Sequence, residues 1–166
     1  KQFNEMSHYK NQEIDFINRT KTIIEQYDNF QIAEKEKFEV TLLLNCLIGL
    51  LILPQQHWFK SLPKDLVSQK EWGINPNHIS TIKKGKTKNV KNVAKHLRNS
   101  IAHYNFKVFE NKSKDISCIK FEDYLPTDKK TKEKIKTFEA KIPISCIRQF
   151  TTKLTDTLIN EMNKQK

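Results

Sequence analysis

The sequence predicts a mainly α-helical domain, a bundle of four to five helices with a short antiparallel β insert before the C-terminal helix. Apolar residues recur at steps of three and four in four separate segments, which is typical of amphipathic helices. Between residues 106 and 142 the period changes to alternation, which is typical of strands. The chain has 166 residues, 37% of them hydrophobic, and this predicts a single domain over residues 1–166.

The first two predicted helices cover about residues 10–29 and 34–53. The second contains an apolar run, 42–53, that ends at Pro54, because proline disrupts a helix interior. The run spans about 12 residues, whereas a bilayer-spanning helix needs about 20, and Asn45 interrupts it. We therefore expect a buried central helix and no membrane partner.

A stripe of small and polar residues, Thr41, Asn45 and Gly49, runs along this central helix. Two explanations are open. The one we favour is that small side chains let a neighbouring helix approach closely. The other is that a buried Asn45 amide, which needs a hydrogen-bonding partner, finds it in the polar motif of the neighbouring helix.

The remaining elements follow the same two periods. A third helix is predicted over about residues 87–105 and a C-terminal helix over about 143–163, with Pro143 where a first helical turn tolerates proline. Residues 106–142 carry short alternating segments that indicate a β-rich insert. Residues 54–85, with three prolines and two glycines, are predicted to be mostly irregular with one short helix.

The formal net charge is +11, and the positive charge is concentrated in one stretch. No acidic residue lies between Glu71 and Glu110. The basic residues of this stretch are Lys83, Lys84, Lys86, Lys88, Lys91, Lys95, Arg98 and Lys107. Such a field is the electrostatic footprint of a protein that binds a polyanion, and RNA is the partner we expect.

The cysteines and histidines form no pattern typical of a metal site. Cys46, Cys118 and Cys146 lie far apart without a CxxC pair, which is typical of reduced thiols in a cytosolic protein. The five histidines are scattered, and the one close pair has i, i+7 spacing without a nearby carboxylate or thiol. We therefore predict a cytoplasmic protein with no metal and no cofactor. No signal peptide opens the chain, and because it begins with Lys1, we expect further residues to precede it.

The most informative segment lies on the third predicted helix, where Arg98 and His103 are five residues apart. Arginine binds phosphate through a planar, permanently charged group, and histidine exchanges protons near neutral pH. Because RNA carries its own nucleophile, the 2′-hydroxyl, these two side chains suffice to cleave it without a metal. Asn99 and His103 lie one turn apart on the polar face, and the long Arg98 side chain can reach the same groove. The alternative is an ordinary solvated histidine near a helix end.

Each residue of this predicted site has an expected role. His103 transfers a proton at the 2′-hydroxyl or the 5′-oxygen, and Arg98 neutralises the phosphate. Asn99 holds the His103 ring or donates to a phosphate oxygen. Three neighbours on the same helix complete the predicted RNA-binding surface: Lys91, Lys95 and His96. The two lysines contact backbone phosphates, and the histidine is either an auxiliary group or a plain surface residue.

Two segments, in this order, resemble a known family. Residues 38–51 together with Pro54-Gln55-Gln56 and Trp58 form the first, and the six residues from Arg98 to His103 form the second. Both are similar to HEPN domains, small helical bundles whose nuclease members carry Arg-x-x-x-x-His with a polar residue after the arginine. The first resembles the second-helix region of single-domain HEPN proteins from bacterial plasmids and mobile elements. The specific resemblance covers about residues 34–63 and 90–106.

The resemblance implies a metal-independent endoribonuclease in a toxin–antitoxin or phage-defence setting. It also implies a homodimer that brings two copies of the motif together, and an antitoxin or defence-complex partner. HEPN toxins that a nucleotidyltransferase antitoxin modifies tend to carry tyrosine two residues after the histidine. Here Tyr104 follows His103 directly and Asn105 occupies that position, so this mode of regulation is not expected.

Two other functions are compatible with the same residues. One is a catalytically inactive HEPN module that binds RNA or a nucleotide. The other is a helical interaction subunit whose basic face meets an acidic partner protein. Loss of cleavage with retained RNA binding in a His103→Ala variant separates a nuclease from a binding module. Steep salt dependence of RNA binding argues against a purely protein partner.

Overall fold

A computed structural model describes residues 12–30, 39–52, 59–112, 116–125 and 134–164. The α-helices of these residues are α1 (Gln12–Asn29), α2 (Glu39–Ile52), α3 (Val90–Ala102) and α4 (Ile144–Lys164). The β-strands are β1 (Ile79–Ile82), β2 (Phe106–Glu110), β3 (Ile116–Tyr124) and β4 (Lys136–Pro143). Short 3-10 turns at Phe59–Ser61, Lys70–Trp72 and Pro76–His78 precede β1.

The strands form one four-stranded antiparallel sheet in the order β1-β4-β3-β2. The prediction of a mainly α-helical bundle, an all-α protein, is therefore wrong, and the fold is mixed α/β. Strands β2 and β3 lie within the predicted insert, and so does β4 except for Pro143, which was predicted to begin the C-terminal helix; β1 comes from the segment predicted to be irregular. It pairs with β4, with Ile79 opposite Ala140. A four-residue strand whose partner lies so far along the chain leaves no trace in local periodicity.

The two central strands, β3 and β4, separate the core from the charged side of the sheet. Their inner face, which we define as the face toward the helices, carries the buried residues Ile119, Phe121, Asp123, Phe138, Ala140 and Ile142. Helix α3 packs against β3, and α4 packs against both central strands. The outer face carries Lys120, Glu122, Lys136, Glu139 and Lys141. Alternation along each strand produces this division, except at Lys136, which lies beyond an irregularity in the β3–β4 pairing between Asp123 and Tyr124.

Helices α1 and α2 approach closely at Gly49. A Cβ atom added there would lie 2.9 Å from Cζ of Phe16 on α1. This contact confirms the close-approach explanation at that position of the stripe. Asn45 is exposed, so the hypothesis that its amide is buried against a neighbouring motif is wrong. Among the described residues, no helix has the length and apolar character that a bilayer crossing requires.

Candidate functional site

Helix α3 carries the predicted catalytic residues, and its N-terminus is fixed by a side-chain cap. The Asn89 side chain accepts a hydrogen bond of 2.8 Å from the backbone N–H of Asn92, which satisfies a donor that the first helical turn leaves without a partner. The buried apolar side is Val90, Val93, Ala94, Leu97 and Ile101. Burial of this side determines which side of the helix turns toward the core.

The C-terminus of α3 is a tight turn at the motif histidine. The N–H of Tyr104 donates to the Ile101 carbonyl at 3.0 Å, and the N–H of Asn105 donates to the Ser100 carbonyl at 2.7 Å. Tyr104 has a φ of 54°, the left-handed conformation that usually follows a helix in this hydrogen-bonding pattern. His103 is thus the C-cap residue, and its side chain is exposed.

Arg98 lies one turn before this cap and is half-buried. Its Nε atom is buried and has no hydrogen-bonding partner among the described residues. Buried polar atoms almost always have a partner, so a buried guanidinium N–H without one needs an explanation. An anion bound to the guanidinium is one, because its planar set of donors matches phosphate and carboxylate oxygens.

Asp123 on β3 meets the polar side of α3, where the buried Asp123 and His96 lie together with the half-buried Asn99. The His96 Nδ1 lies 2.7 Å from Asp123 Oδ2, and the Asn99 Nδ2 donates to the same oxygen at 2.9 Å. The other carboxylate oxygen accepts from the backbone N–H of Tyr124 at 2.9 Å. Asp123 is only 4% exposed, so these contacts replace its hydration.

The Asp123 carboxylate is ionised at neutral pH. Burial raises the pKa of Asp123, but hydrogen bonds from His96 and Asn99, the charge of His96 and the Tyr124 N–H together hold this pKa below its ordinary value. An ionised carboxylate only accepts hydrogen bonds. The His96 Nδ1 therefore carries a hydrogen toward Asp123, and the NH2 side of the Asn99 amide faces Asp123.

The His96 ring is covered by the sheet. It stacks on Phe138 of β4 with ring centroids 4.8 Å apart and an interplanar angle of 5°, and His96 is 8% exposed. The expectation that His96 lies on a solvated, RNA-contacting surface is therefore wrong. Helical spacing identifies a polar face, but it does not reveal that a strand with its own carboxylate packs against that face.

The basic residues around α3 have different surroundings. Lys95 is exposed, whereas the Lys91 Nζ donates to the Lys60 carbonyl at 2.9 Å. The Lys88 Nζ donates to the carbonyls of Pro76 and Ile79 at 2.8 and 2.7 Å. These two lysines of the acid-free stretch therefore also stabilise the segments that precede β1 and α3. The positive field of the stretch is still available to a polyanion, since internal hydrogen bonds to neutral carbonyls do not cancel charge.

The family model described as HEPN pEK499 p136 matches residues 6–165. The chain belongs to the HEPN family. The resemblance predicted from the Arg98–His103 motif and the α2 region is confirmed. No curated protein and no solved structure gave a significant match to the chain.

Asp123 is the residue of this HEPN protein that sequence reasoning missed. A signal for it existed, since Asp123 follows Ile119 and Phe121 at steps of two and therefore falls on the inner face of a predicted strand. A carboxylate at a core position requires hydrogen-bonding partners. Periodicity could not identify those partners, because His96 and Asn99 lie on another element of the fold.

Proposed function

We propose that this HEPN protein is a metal-independent endoribonuclease whose active site contains Arg98, Asn99 and His103. The observation that carries the proposal is the pairing of a half-buried Arg98, whose Nε has no partner in the described part of the chain, with an exposed His103 at the end of the same helix. HEPN membership supports it, because nuclease members of the family carry this motif.

The chemistry is a transfer within the RNA itself. The 2′-oxygen attacks the adjacent phosphorus and loses its proton, the bond from phosphorus to the 5′-oxygen breaks, and that oxygen gains a proton. The products are a 2′,3′-cyclic phosphate and a 5′-hydroxyl. His103 assists one of the two proton transfers, a contribution of typically about 10²–10⁴-fold. Arg98 balances the charge that accumulates on the phosphate oxygens in the transition state.

RNA reaches the motif through the positive field of the acid-free stretch. Lys95 is exposed on α3 and contacts backbone phosphates without reading sequence. Lys91 contributes positive charge to the same field. His96 has no direct role in RNA binding in this proposal.

The active form is a homodimer that brings two copies of the motif together. One motif supplies a single histidine and a single arginine, whereas two facing copies supply paired proton-transfer groups and paired phosphate contacts. Two large side chains that follow His103 along the chain are exposed, Tyr104 at 82% and Val108 at 40%, and they suit an interface between copies. The cellular role is that of a toxin or phage-defence ribonuclease, held in check by an antitoxin or a larger defence complex.

The decisive experiment is incubation of the purified protein with mixed cellular RNA, with and without EDTA. We expect cleavage that survives EDTA and leaves 2′,3′-cyclic phosphate and 5′-hydroxyl ends. The His103→Ala variant should bind RNA normally and leave it intact. Products with 3′-hydroxyl ends, or activity lost with the chelator, would rule this chemistry out. Binding without cleavage by the wild type would indicate a catalytically inactive module.

A charge-preserving substitution separates the role of Arg98 from that of the general field. Arg98→Lys keeps the net charge but removes the planar pair of donors. We expect near-normal RNA affinity and cleavage reduced by at least about tenfold, a barrier change of about 1.4 kcal/mol. The matched variant Lys95→Ala should do the reverse, weakening binding and flattening its salt dependence. Wild-type cleavage by Arg98→Lys would remove the main support for the motif.

Mixing two inactive variants tests the composite site. Heterodimers of an Arg98→Ala chain and a His103→Ala chain retain one arginine and one histidine, which can meet across the interface. We expect part of the activity to return when subunit exchange is verified. Silence at all mixing ratios, or a monomer by sedimentation at micromolar concentration, would contradict a shared site.

A further inference from the structure

We propose that Asp123 is a positioning residue that presents the Asn99 amide oxygen to the active site and fixes α3 against the sheet. Asp123 lies on β3, outside the motif and outside the helix that carries it. The inference rests on the proposed nuclease function for its kinetic consequences, but its structural part can be tested separately.

The orientation of the Asn99 amide follows from the charge of its partner. The Asn99 Nδ2 lies 2.9 Å from Asp123 Oδ2, and an ionised carboxylate cannot donate a hydrogen bond in return. The alternative orientation of the amide would place two acceptor oxygens against each other. Asp123 therefore directs Nδ2 toward itself and turns Oδ1 of Asn99 away, so Asn99 offers an acceptor to the site.

Asp123 can impose this orientation because it is itself held in place. Its second carboxylate oxygen accepts from the Tyr124 N–H at 2.9 Å. It also lies opposite Phe138 in the β3–β4 pairing. The carboxylate therefore has a fixed position on the sheet, and it can orient a side chain of α3 that binds to it.

Two contacts to the same oxygen fix the rotation of α3. His96 and Asn99 are three residues apart on one side of the helix, and both meet Asp123 Oδ2. A rotation of α3 about its axis would break both hydrogen bonds and would remove His96 from its stacking partner Phe138. Since Arg98 lies on α3 and His103 is its C-cap residue, this anchoring also determines where both residues lie relative to the sheet.

An acceptor beside His103 has a defined use in the proposed reaction. Asn99 and His103 lie one turn apart, so their side chains share a helix face. Oδ1 of Asn99 can accept from the substrate 2′-hydroxyl or from an imidazole N–H, both of which are donors. Loss of the acceptor should disturb the chemical step more than RNA binding, because the phosphate contacts remain.

The test combines Asp123→Asn with a matched control and a double variant. Asp123→Asn keeps the shape of the side chain but adds an NH2 group that competes for the Asn99 position. We expect kcat to fall by at least about tenfold, since a misplacement of about 1 Å can cost about 100-fold, with the Kd for RNA within about twofold of wild type. Thr137→Val removes a buried hydrogen bond to the Asp123 backbone and leaves the carboxylate in place. It should retain near-normal kcat.

Coupling between the Asp123 and Asn99 substitutions distinguishes a positioning role of Asp123 from a general loss of structure. If Asp123 acts mainly through Asn99, the kcat of the double variant Asp123→Asn/Asn99→Ala should be far closer to that of Asn99→Ala than the product of the two single losses predicts, and the His96 contact accounts for the small remaining difference. Independent, multiplicative losses would overturn the inference. If Asp123→Asn does not fold, Asp123→Glu keeps the charge and moves the carboxylate by about one bond, and the same cycle applies.

A readout without catalysis separates this inference from the proposed function. The Asn99 side-chain NH2 signals in a nitrogen–proton NMR spectrum should shift and exchange faster in Asp123→Asn, and should stay near wild type in Thr137→Val. Unchanged Asn99 signals in Asp123→Asn would overturn the positioning role even in an active nuclease. The expected shift in a protein that never cleaves RNA would support the positioning of Asn99 while the nuclease proposal fails.

Discussion

Neighbouring residues of β3 and β4 place charged groups in two very different environments. On the inner face, the Asp123 carboxylate is almost fully buried and accepts from His96, Asn99 and the Tyr124 N–H. On the outer face, two lysines and two glutamates form a partly exposed group that we call the outer ladder: Lys120, Lys136, Glu122 and Glu139. The two groups adjoin in sequence, because Glu122 of the outer ladder directly precedes Asp123.

The difference shows that the number of ion pairs is a poor guide to how much they contribute to stability. In the outer ladder the Lys120 Nζ lies 3.3 Å from Glu122 Oε1 and 3.3 Å from Glu139 Oε2. The Lys136 Nζ also contacts both glutamates. The Lys136 hydrogen bond lowers the pKa of Glu139 to about 2. Water can nevertheless replace each of these contacts at modest cost. Inside, water has no access, so a lost partner leaves a buried charge unsatisfied.

The largest expected effect comes from adjacent alanine substitutions on the two faces. Asp123→Ala should lower the free energy of unfolding by about 3 kcal/mol, because it leaves buried donors of His96 and Asn99 without an acceptor. Glu122→Ala, the matched control on the outer face, should cost less than about 1 kcal/mol. Urea denaturation measures both values. Equal losses would contradict the distinction between the two faces.

Acid titration of stability is the second test. The pKa of Asp123 is lower in the folded state than the unfolded value of about 3.9, so its contribution is complete above that pH and is lost as the pH falls toward the folded pKa. Wild type should therefore lose stability more steeply than Asp123→Asn between about pH 5 and pH 2. The outer-ladder glutamates are present in both proteins and cancel in the comparison. Identical slopes would count against an ionised, stabilised Asp123.

Two phenylalanines on opposite faces provide a third, smaller comparison. Phe138 is fully buried and stacks on His96, whereas Phe109 of β2 is half-buried with the Lys141 Nζ 4.4 Å from its ring centroid. Phe138→Leu should cost about 1 kcal/mol through lost packing and stacking, and Phe109→Leu about half as much. Thermal denaturation of both variants would decide the order, and a reversed order would mean that the stack contributes little.

The smallest expected effect is removal of a lysine from the outer ladder. Lys136→Met retains most of the side-chain length and removes the charge that contacts Glu122 and Glu139. We expect a loss of less than about 1 kcal/mol in 0.1 M salt, which shrinks further near 1 M salt as the charges are screened. A larger loss that is insensitive to salt would show that the outer ladder behaves like a buried cluster.

Much of the fold was accessible from local patterns. The four helices overlap the segments with helical periodicity, and β2, β3 and β4 overlap the alternating segments between α3 and α4. Strand β1 was missed because Ile79–Ile82 is too short to show a period and acquires its conformation by pairing with β4. For the same reason, the prediction from sequence underestimated how much of the fold the sheet makes up.

The candidate site likewise contains residues that local spacing identifies and residues whose surroundings it does not reveal. Arg98, Asn99 and His103 are identified by residue type and spacing on one helix, since helical geometry relates positions three to five residues apart. Their activity is still a proposal. The exposed state of His103 follows from its place at the helix end. The burial of His96 does not follow from spacing, because the same polar face could meet solvent or a strand.

The sequence by itself determined the helices, the basic stretch and the motif that led to the HEPN family, because these depend on residues close to one another along the chain. Only the tertiary structure decided that β1 completes a four-stranded sheet and that Asp123 meets His96 and Asn99. Such contacts join residues far apart in sequence, and they form because a buried carboxylate and a buried imidazole each need a partner that no local segment supplies.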